Sequence, residues 1–439
     1  MKINIRIIAL IMAVLMLVPA AMSCAAGAKS NVEGSDNVTT TSPETEEPDP
    51  ASQRDIASLL AADLYAADGL EYAHYTIDKY YVKRAHTIKR SLTNLNACEI
   101  WYAGAFLEML TEAYKLYPED SKIKSTYLDF LEEGLPKYLV RNGVVNSPTK
   151  TYRKMTYYNA GINSSGDFYY DDNAWICYQL IEAYELLGDE KYLELAENNL
   201  EFLWTGWREK GGGIYWSKDF NSVGTCSTSP TGVCFLRAYM LTGKEDYLDK
   251  GTQIYDWLAK NVYSGGLVLE GPGSNWKPSY DNGTFLMNAC LLYKITGEKK
   301  YKNTAKALSN AVIVHAFKAS TNRNGKTTVS LQTNPYYCPW AFTWLLRGVS
   351  EYYKQIGSKT ELFYDYLKIL LDSRREKYND NKQYDPYLGT GCKDWLGDGR
   401  TFSSDDVVIM PSGYASMLLV TGYFDVYYSN NVLNNDPEN

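Results

Sequence analysis

Two adjacent carboxylates, Asp171 and Asp172, stand in the string Asp167-Phe168-Tyr169-Tyr170-Asp171-Asp172-Asn173-Ala174-Trp175. Neighbouring Cα atoms lie about 3.8 Å apart. Two such side chains diverging from a helix start can therefore reach the separation of about 5–5.5 Å that retaining glycoside hydrolysis requires. Close carboxyls also push their pKa values apart, so that one keeps its proton as an acid while the other attacks. Aspartate equally suits a helix first turn, where it caps and complements the dipole. Its company favours chemistry: Tyr170, Asn173 and Trp175 supply aromatic faces and amide groups suited to sugar rings and hydroxyls.

Other strings add material of the same kind. Gly211-Gly212-Gly213-Ile214-Tyr215-Trp216 reads as a flexible loop ending in two aromatics, and Tyr280, Asp281, Asn282 and Gly283 precede an apolar run. Tyr384, Tyr387, Trp395, Asp405 and Asp406 crowd a third segment. With 39 Tyr and 10 Trp in the chain, most aromatics must be core, so these count as a group. Only three histidines are present, His74, His86 and His315, too few and too scattered for a His-metal site or a His acid/base pair. No metal and no cofactor is expected. The formal charge of -8 argues against nucleic acid and anionic polysaccharide as partners. A neutral polysaccharide fits better, bound by a monomer.

These groups need a scaffold, and an internal repeat supplies one. The segments beginning at Leu186, Leu241 and Ile295 share one design, with glycines Gly188, Gly243 and Gly297 spaced 55 and 54 residues apart. A looser copy carries Gly357. At each glycine an apolar helix ends and a polar amphipathic one begins, which is an αα-hairpin. The apolar helices are expected over Ala97–Tyr117, Asp172–Leu187, Pro230–Leu241, Asn282–Ile295, Pro339–Ile356 and Pro411–Tyr428. The polar ones are expected near 55–84, 121–140, 189–206, 245–262, 298–316 and 359–377. Six inner and six outer helices predict an all-α fold, an (α/α)6 toroid, with strands nearly absent apart from a short hairpin at Lys326–Gln332. The longer loops, 141–171, 207–229, 263–281, 317–338 and 378–410, all feed inner-helix N-termini. One mouth of the ring is therefore the expected site.

The chain opens on an address. Lys2 and Arg6 precede an apolar run from Ile7 to Val18, and small residues lead to Cys24. This reads as a signal peptide over residues 1–23 of the lipoprotein type, with Cys24 lipidated. Residues 24–54 read as a disordered acidic tether, 55–430 as the helical domain and 431–439 as a polar tail. The expected product is exported and anchored to a bacterial envelope membrane through lipid alone. The remaining seven cysteines contain no C-x-x-C pair and are assigned no chemistry.

The strings Tyr169–Trp175, Gly211–Trp216 and Tyr280–Gly283 together resemble glycoside hydrolase family 76, the endo-α-1,6-mannanases and their relatives. The resemblance implies an (α/α)6 barrel cleaving α-1,6-linked mannan with retention and without metal. It implies Asp171 as nucleophile and Asp172 as acid/base, with Tyr170, Asn173, Trp175, Tyr215, Trp216, Tyr280, Asp281 and Asn282 binding substrate. The chain departs from the family pattern at Thr225–Pro230, at Ile176, and at Asp281-Asn282, where the family usually has Asn-Gln. Two other readings stand beside hydrolysis: a transglycosylase on the same scaffold, and a glycan-binding surface lipoprotein without turnover.

Overall fold

Glycines 188, 243 and 297 each adopt a left-handed conformation, with φ of 67°, 68° and 71°. The N–H of each returns to the carbonyl of a tyrosine four residues back: Tyr184, Tyr239 and Tyr293. That conformation is almost free to glycine and costly to other residues, so each inner helix stops there and the chain reverses. In the computed structural model, residues 63–331, 338–356, 361–381 and 407–431 are described. The signal segment, Cys24, the tether, Tyr384, Tyr387, Cys392, Trp395, Asp405, Asp406 and nearly all of the polar tail lie outside them.

Twelve α-helices alternate along the described residues. The outer set comprises α1 (Leu64–Tyr80), α3 (Ser121–Asp129), α5 (Glu190–Trp204), α7 (Glu245–Asn261), α9 (Lys299–Ala316) and α11 (Glu361–Asn381). The inner set comprises α2 (Ile100–Leu116), α4 (Tyr170–Leu187), α6 (Thr225–Thr242), α8 (Ser279–Thr296), α10 (Pro339–Ile356) and α12 (Ile409–Asn431). Each inner helix packs on the next, and α12 packs on both α10 and α2, which closes the ring. Inner helices such as α8 are buried nearly all round, whereas α5 and α7 bury one stripe. The fold is the (α/α)6 toroid that the hairpin repeat predicts.

Outer helices α1, α3 and α5 carry their own caps. Asp63 accepts from the Ala66 N–H at 2.8 Å, Asp120 from Ile123 at 2.9 Å and Asp189 from Lys191 at 3.1 Å. Helices α4, α6 and α8 have no such cap. A side chain at their fourth position ties them to the segment that precedes them. Asn173 accepts from the Tyr158 N–H (2.8 Å) and donates to the carbonyls of Tyr158 (2.9 Å) and Tyr169 (2.8 Å). Asn282 does the same with Val268 (2.9 and 3.2 Å) and Pro278 (2.7 Å). Thr228 accepts from the Ile214 N–H (3.0 Å) and donates to the Gly224 carbonyl (2.7 Å). The Thr-Cys-Ser-Thr segment thus makes, with one hydroxyl, a reduced version of the amide tie.

The strand content exceeds expectation. Among the described residues four antiparallel hairpins occur: β1 (Tyr81–Val82) with β2 (Thr87–Ile88), β3 (Leu139–Asn146) with β4 (Thr151–Tyr158), β5 (Tyr263–Ser264) with β6 (Leu267–Val268), and β7 (Phe317–Thr321) with β8 (Thr327–Leu331). The long β3–β4 hairpin occupies much of what reads as loop 141–171. Helix α6 also starts at Thr225 rather than at Pro230, which lies inside it.

Below the mouth, the cations of the ring are taken up by acids. Arg347 on α10 meets Glu108 (2.9 Å) and Glu112 (2.7 Å) of α2. Arg237 on α6 pairs with Glu182 and Glu185 of α4, and Lys115 on α2 pairs with Glu182. Inner helices α8 and α10 touch through glycine: a Cβ on Gly283 would lie 2.1 Å from the Trp344 carbonyl oxygen, and one on Gly348 2.4 Å from that of Gly283. Gly283→Ala should therefore separate the two helices and lower stability by about 3 kcal/mol, measured by chemical denaturation, despite alanine's better helix propensity.

Candidate active site

Asp171 and Asp172 occupy the first turn of α4, at the end of the ring where inner helices begin, and both are half-buried. The Nε1–H of Trp216 donates to Asp171 Oδ2 at 3.0 Å, while Asp171 Oδ1 is buried without a hydrogen-bond partner. Trp216 reaches this position because the three glycines before it all take positive φ, 95°, 66° and 79°. A Cβ on Gly213 would sit 2.5 Å from Val223 and 2.6 Å from Trp257. The glycines therefore serve a compulsory turn rather than flexibility. The Tyr170 N–H then donates to the Trp216 carbonyl at 2.8 Å, locking the loop against the start of α4.

The two carboxyls have unlike surroundings. Burial pushes Asp171 up to about 7, opposed by the Trp216 N–H and first-turn amides and reinforced by the charge of Glu270. Asp172 is pushed well above the ordinary range by burial, then by Asp171 and by Glu99, the N-cap of α2. Glu99 pairs with Arg90, although its Oε2 has no hydrogen-bond partner. Asp172 is thus the member that keeps its proton, and Asp171 the one that first ionises.

Two acids missing from the sequence reading complete the group. Glu270, in the segment after β6, is half-buried, and Tyr280 donates to its Oε2 at 3.4 Å. Glu99 flanks Asp172 from the other side. Glu270 sits before Gly271-Pro272-Gly273 in a loop assigned to the mouth, a signal that singles it out only once Tyr280 is placed. Among the described residues no trio of His, Cys, Asp or Glu is arranged to hold a metal ion.

The expected substrate-binding residues divide. Trp216, 43% exposed, stands open beside Asp171, and Tyr215 is half-buried against Phe220. Trp175 and Tyr280 lie in a nearly closed aromatic floor with Trp340 and Trp344, ring centroids 4.6–6.3 Å apart. Tyr170, Asn173, Asp281 and Asn282 are fully buried. Tyr170 stacks on Phe202 and shares a hydrogen bond with Thr205 at 2.9 Å, so its ring belongs to the core. Asn173 and Asn282 are occupied by backbone and Asp281 has no exposed surface, so direct sugar contact is corrected to a supporting role for these four.

The comparisons agree with this picture. Residues 65–343 match Glycosyl hydrolase family 76. The chain belongs to that family. Its structure is similar to the family 76 mannosidase Bt3792 of Bacteroides thetaiotaomicron VPI-5482, at 20% identity and a TM-score of 0.65, covering 86% of this chain and 100% of that one. It is also similar to the GH76A α-1,6-mannanase of Salegentibacter sp. HEL1_6, at 21% identity and a TM-score of 0.58, covering 84% and 98%. An inactive variant of that mannanase, with two adjacent aspartates replaced by alanine, is described in complex with α-1,6-mannotetrose; it matches at 20% identity and a TM-score of 0.59, covering 85% and 98%. No curated protein matches the sequence.

Folding of the family 76 domain must accommodate Asp171 with its folded value raised from 3.8 to about 7. Such a carboxyl contributes most stability below its unfolded value, and that contribution is lost as pH rises toward 7. Asp171→Asn abolishes the loss. The variant should be about as stable as wild type at pH 4 and more stable at pH 7, by on the order of 2 kcal/mol, read from thermal midpoints at the two pH values.

Proposed function

We propose that this family 76 protein is a retaining glycoside hydrolase that cleaves α-1,6-mannosidic linkages in a mannan-type polysaccharide. The observation that carries the reading is the Asp171–Asp172 pair: two adjacent carboxyls at the ring mouth whose unequal surroundings leave one ionisable near neutrality and the other protonated. The linkage is supported by the family and by relatives described as mannosidase and α-1,6-mannanase. The acids around the mouth disfavour an anionic glycan.

In the first step Asp172 gives its proton to the glycosidic oxygen as the C–O bond breaks, and the Asp171 carboxylate bonds to the anomeric carbon. The Trp216 N–H on Oδ2 keeps Asp171 oriented and eases its ionisation. In the second step Asp172, now ionised, takes a proton from water, whose oxygen displaces Asp171 from the anomeric carbon. Two displacements restore the starting configuration. Cys24 and the acidic tether are proposed to hold the enzyme at an envelope membrane after export.

The test is reducing-end release from debranched α-1,6-mannan. Wild type should liberate manno-oligosaccharides, and Asp171→Asn and Asp172→Asn should each lose about 10³-fold or more in kcat/KM. No release by wild type, with the polymer still retained on an affinity gel, would replace hydrolysis with glycan binding. Trp216→Phe removes a hydrogen bond that favours ionised Asp171, so the acid limb of the kcat/KM profile should move to higher pH. Activity at pH 6 should fall about tenfold further than activity at pH 8.

A further inference from the structure

Asp281 is a carboxylic acid buried completely in the first turn of α8, and neither of its oxygens has a hydrogen-bond partner among N–H and O–H donors. A charge so placed is very costly. The group that meets it is another carboxyl, Glu270. Two carboxyls in contact hydrogen-bond only when a proton lies between them. Glu270 reaches toward the ring mouth, and Tyr280 O–H also points at it.

The surroundings settle which partner holds the proton. Glu270 is approached by the Tyr280 hydroxyl of α8 and the Cys226 thiol of α6, both donors, as well as by Asp281. Asp281 is faced by Glu270 and, across the mouth, by Asp171 of α4, both acids. From α10 come the rings of Trp340 and Trp344, and the cation of that helix, Arg347, is taken by Glu108 and Glu112. From β6 comes the Val268 backbone, already bonded to Asn282. Burial raises Glu270 as well, but the Asp281, Cys226 and Tyr280 donors oppose that rise, whereas burial and Glu270 both push Asp281 up strongly, so the proton rests on Asp281.

We propose that Asp281 is a positioning residue: its retained proton forms a carboxyl–carboxylate hydrogen bond that holds Glu270 ionised at the mouth beside Asp171, as an acceptor for sugar hydroxyls. This rests on the glycosidase reading for its effect on turnover, but not for the proton itself. Asp281 stands at the third position of its inner helix, as Asp172 does on α4. The ring thus uses two protonated aspartates at repeat-equivalent places, one to give its proton away and one to keep it.

Asp281→Asn replaces the O–H donor with an N–H donor, whereas Asp281→Ala removes it. At pH 7 the infrared spectrum of wild type should contain a protonated-carboxyl band that is absent from Asp281→Asn. On mannan, Asp281→Asn should keep kcat/KM within about threefold, and Asp281→Ala should raise KM about tenfold or more. At alkaline pH wild type should lose activity as Asp281 deprotonates, and Asp281→Asn should retain more of it. Identical carboxyl bands in wild type and Asp281→Asn, or an Asp281→Asn loss as deep as that of Asp281→Ala, would overturn the proposal. If wild type leaves mannan intact, the infrared comparison still decides the shared proton, and the substrate reading fails on its own.

Discussion

Inner helices α4, α6 and α8 begin without a side-chain cap of their own, and their unsatisfied backbone has to be tied to something. The tie is made from the fourth residue, by an amide at Asn173 and Asn282 and by a hydroxyl at Thr228. Each reaches back to the extended segment that delivers the chain to the mouth. The second and third residues of each helix are thereby held at the mouth in a fixed orientation: Asp171 and Asp172, Cys226 and Ser227, Tyr280 and Asp281. The Asp171–Asp172 pair, the thiol beside Glu270 and the buried acid behind it are three products of one local device. Asn199 adds a bond of 2.9 Å to Asn173, so the tie under that pair also engages an outer helix.

Charge is distributed along the axis in an uneven way. Deep in the ring, Arg237, Arg347 and Lys115 are matched by Glu108, Glu112, Glu182 and Glu185. Among the described residues no such cation pairs with Asp171, Asp172, Glu270 or Asp281 at the mouth, while Glu99 is paired with Arg90. Acids in that position remain ionisable only at the cost of stability, and raised proton affinity is the outcome. Two electrostatic regimes are therefore built from the same helices a few turns apart.

Much of the architecture was legible because the repeat is covalent: glycines 55 and 54 residues apart can only mean hairpins of one length. The Asp171–Asp172 pair stood out too, since its residue types and context are unusual together. What stayed hidden depended on tertiary placement. Glu270 is one acid among 52 Asp and Glu, distinguished only by the Tyr280 and Asp281 that fold against it. Tyr170 and Asn173 share a string with Asp171 and Asp172, yet helical periodicity turns them inward, away from that pair. Pro230 reads as a helix start, but is the sixth residue of α6, whose first turn is made by the Thr225–Thr228 segment instead. The β3–β4 hairpin was obscured because its strands pair with each other across exposed, mixed surfaces rather than with a sheet.

The glycine turns leave the two ends of the ring with separate duties. One end holds three near-identical reversals at Gly188, Gly243 and Gly297; the other holds the long described connections and the proposed chemistry. Insertions or exchanges in the long connections leave the reversals, and hence helix register, untouched. Lineages can thus diverge at one pole while the opposite pole keeps time, and the toroid itself persists where only about a fifth of residues are shared. In such a lineage, new glycan preferences arise by rewriting loops rather than by reinventing a scaffold.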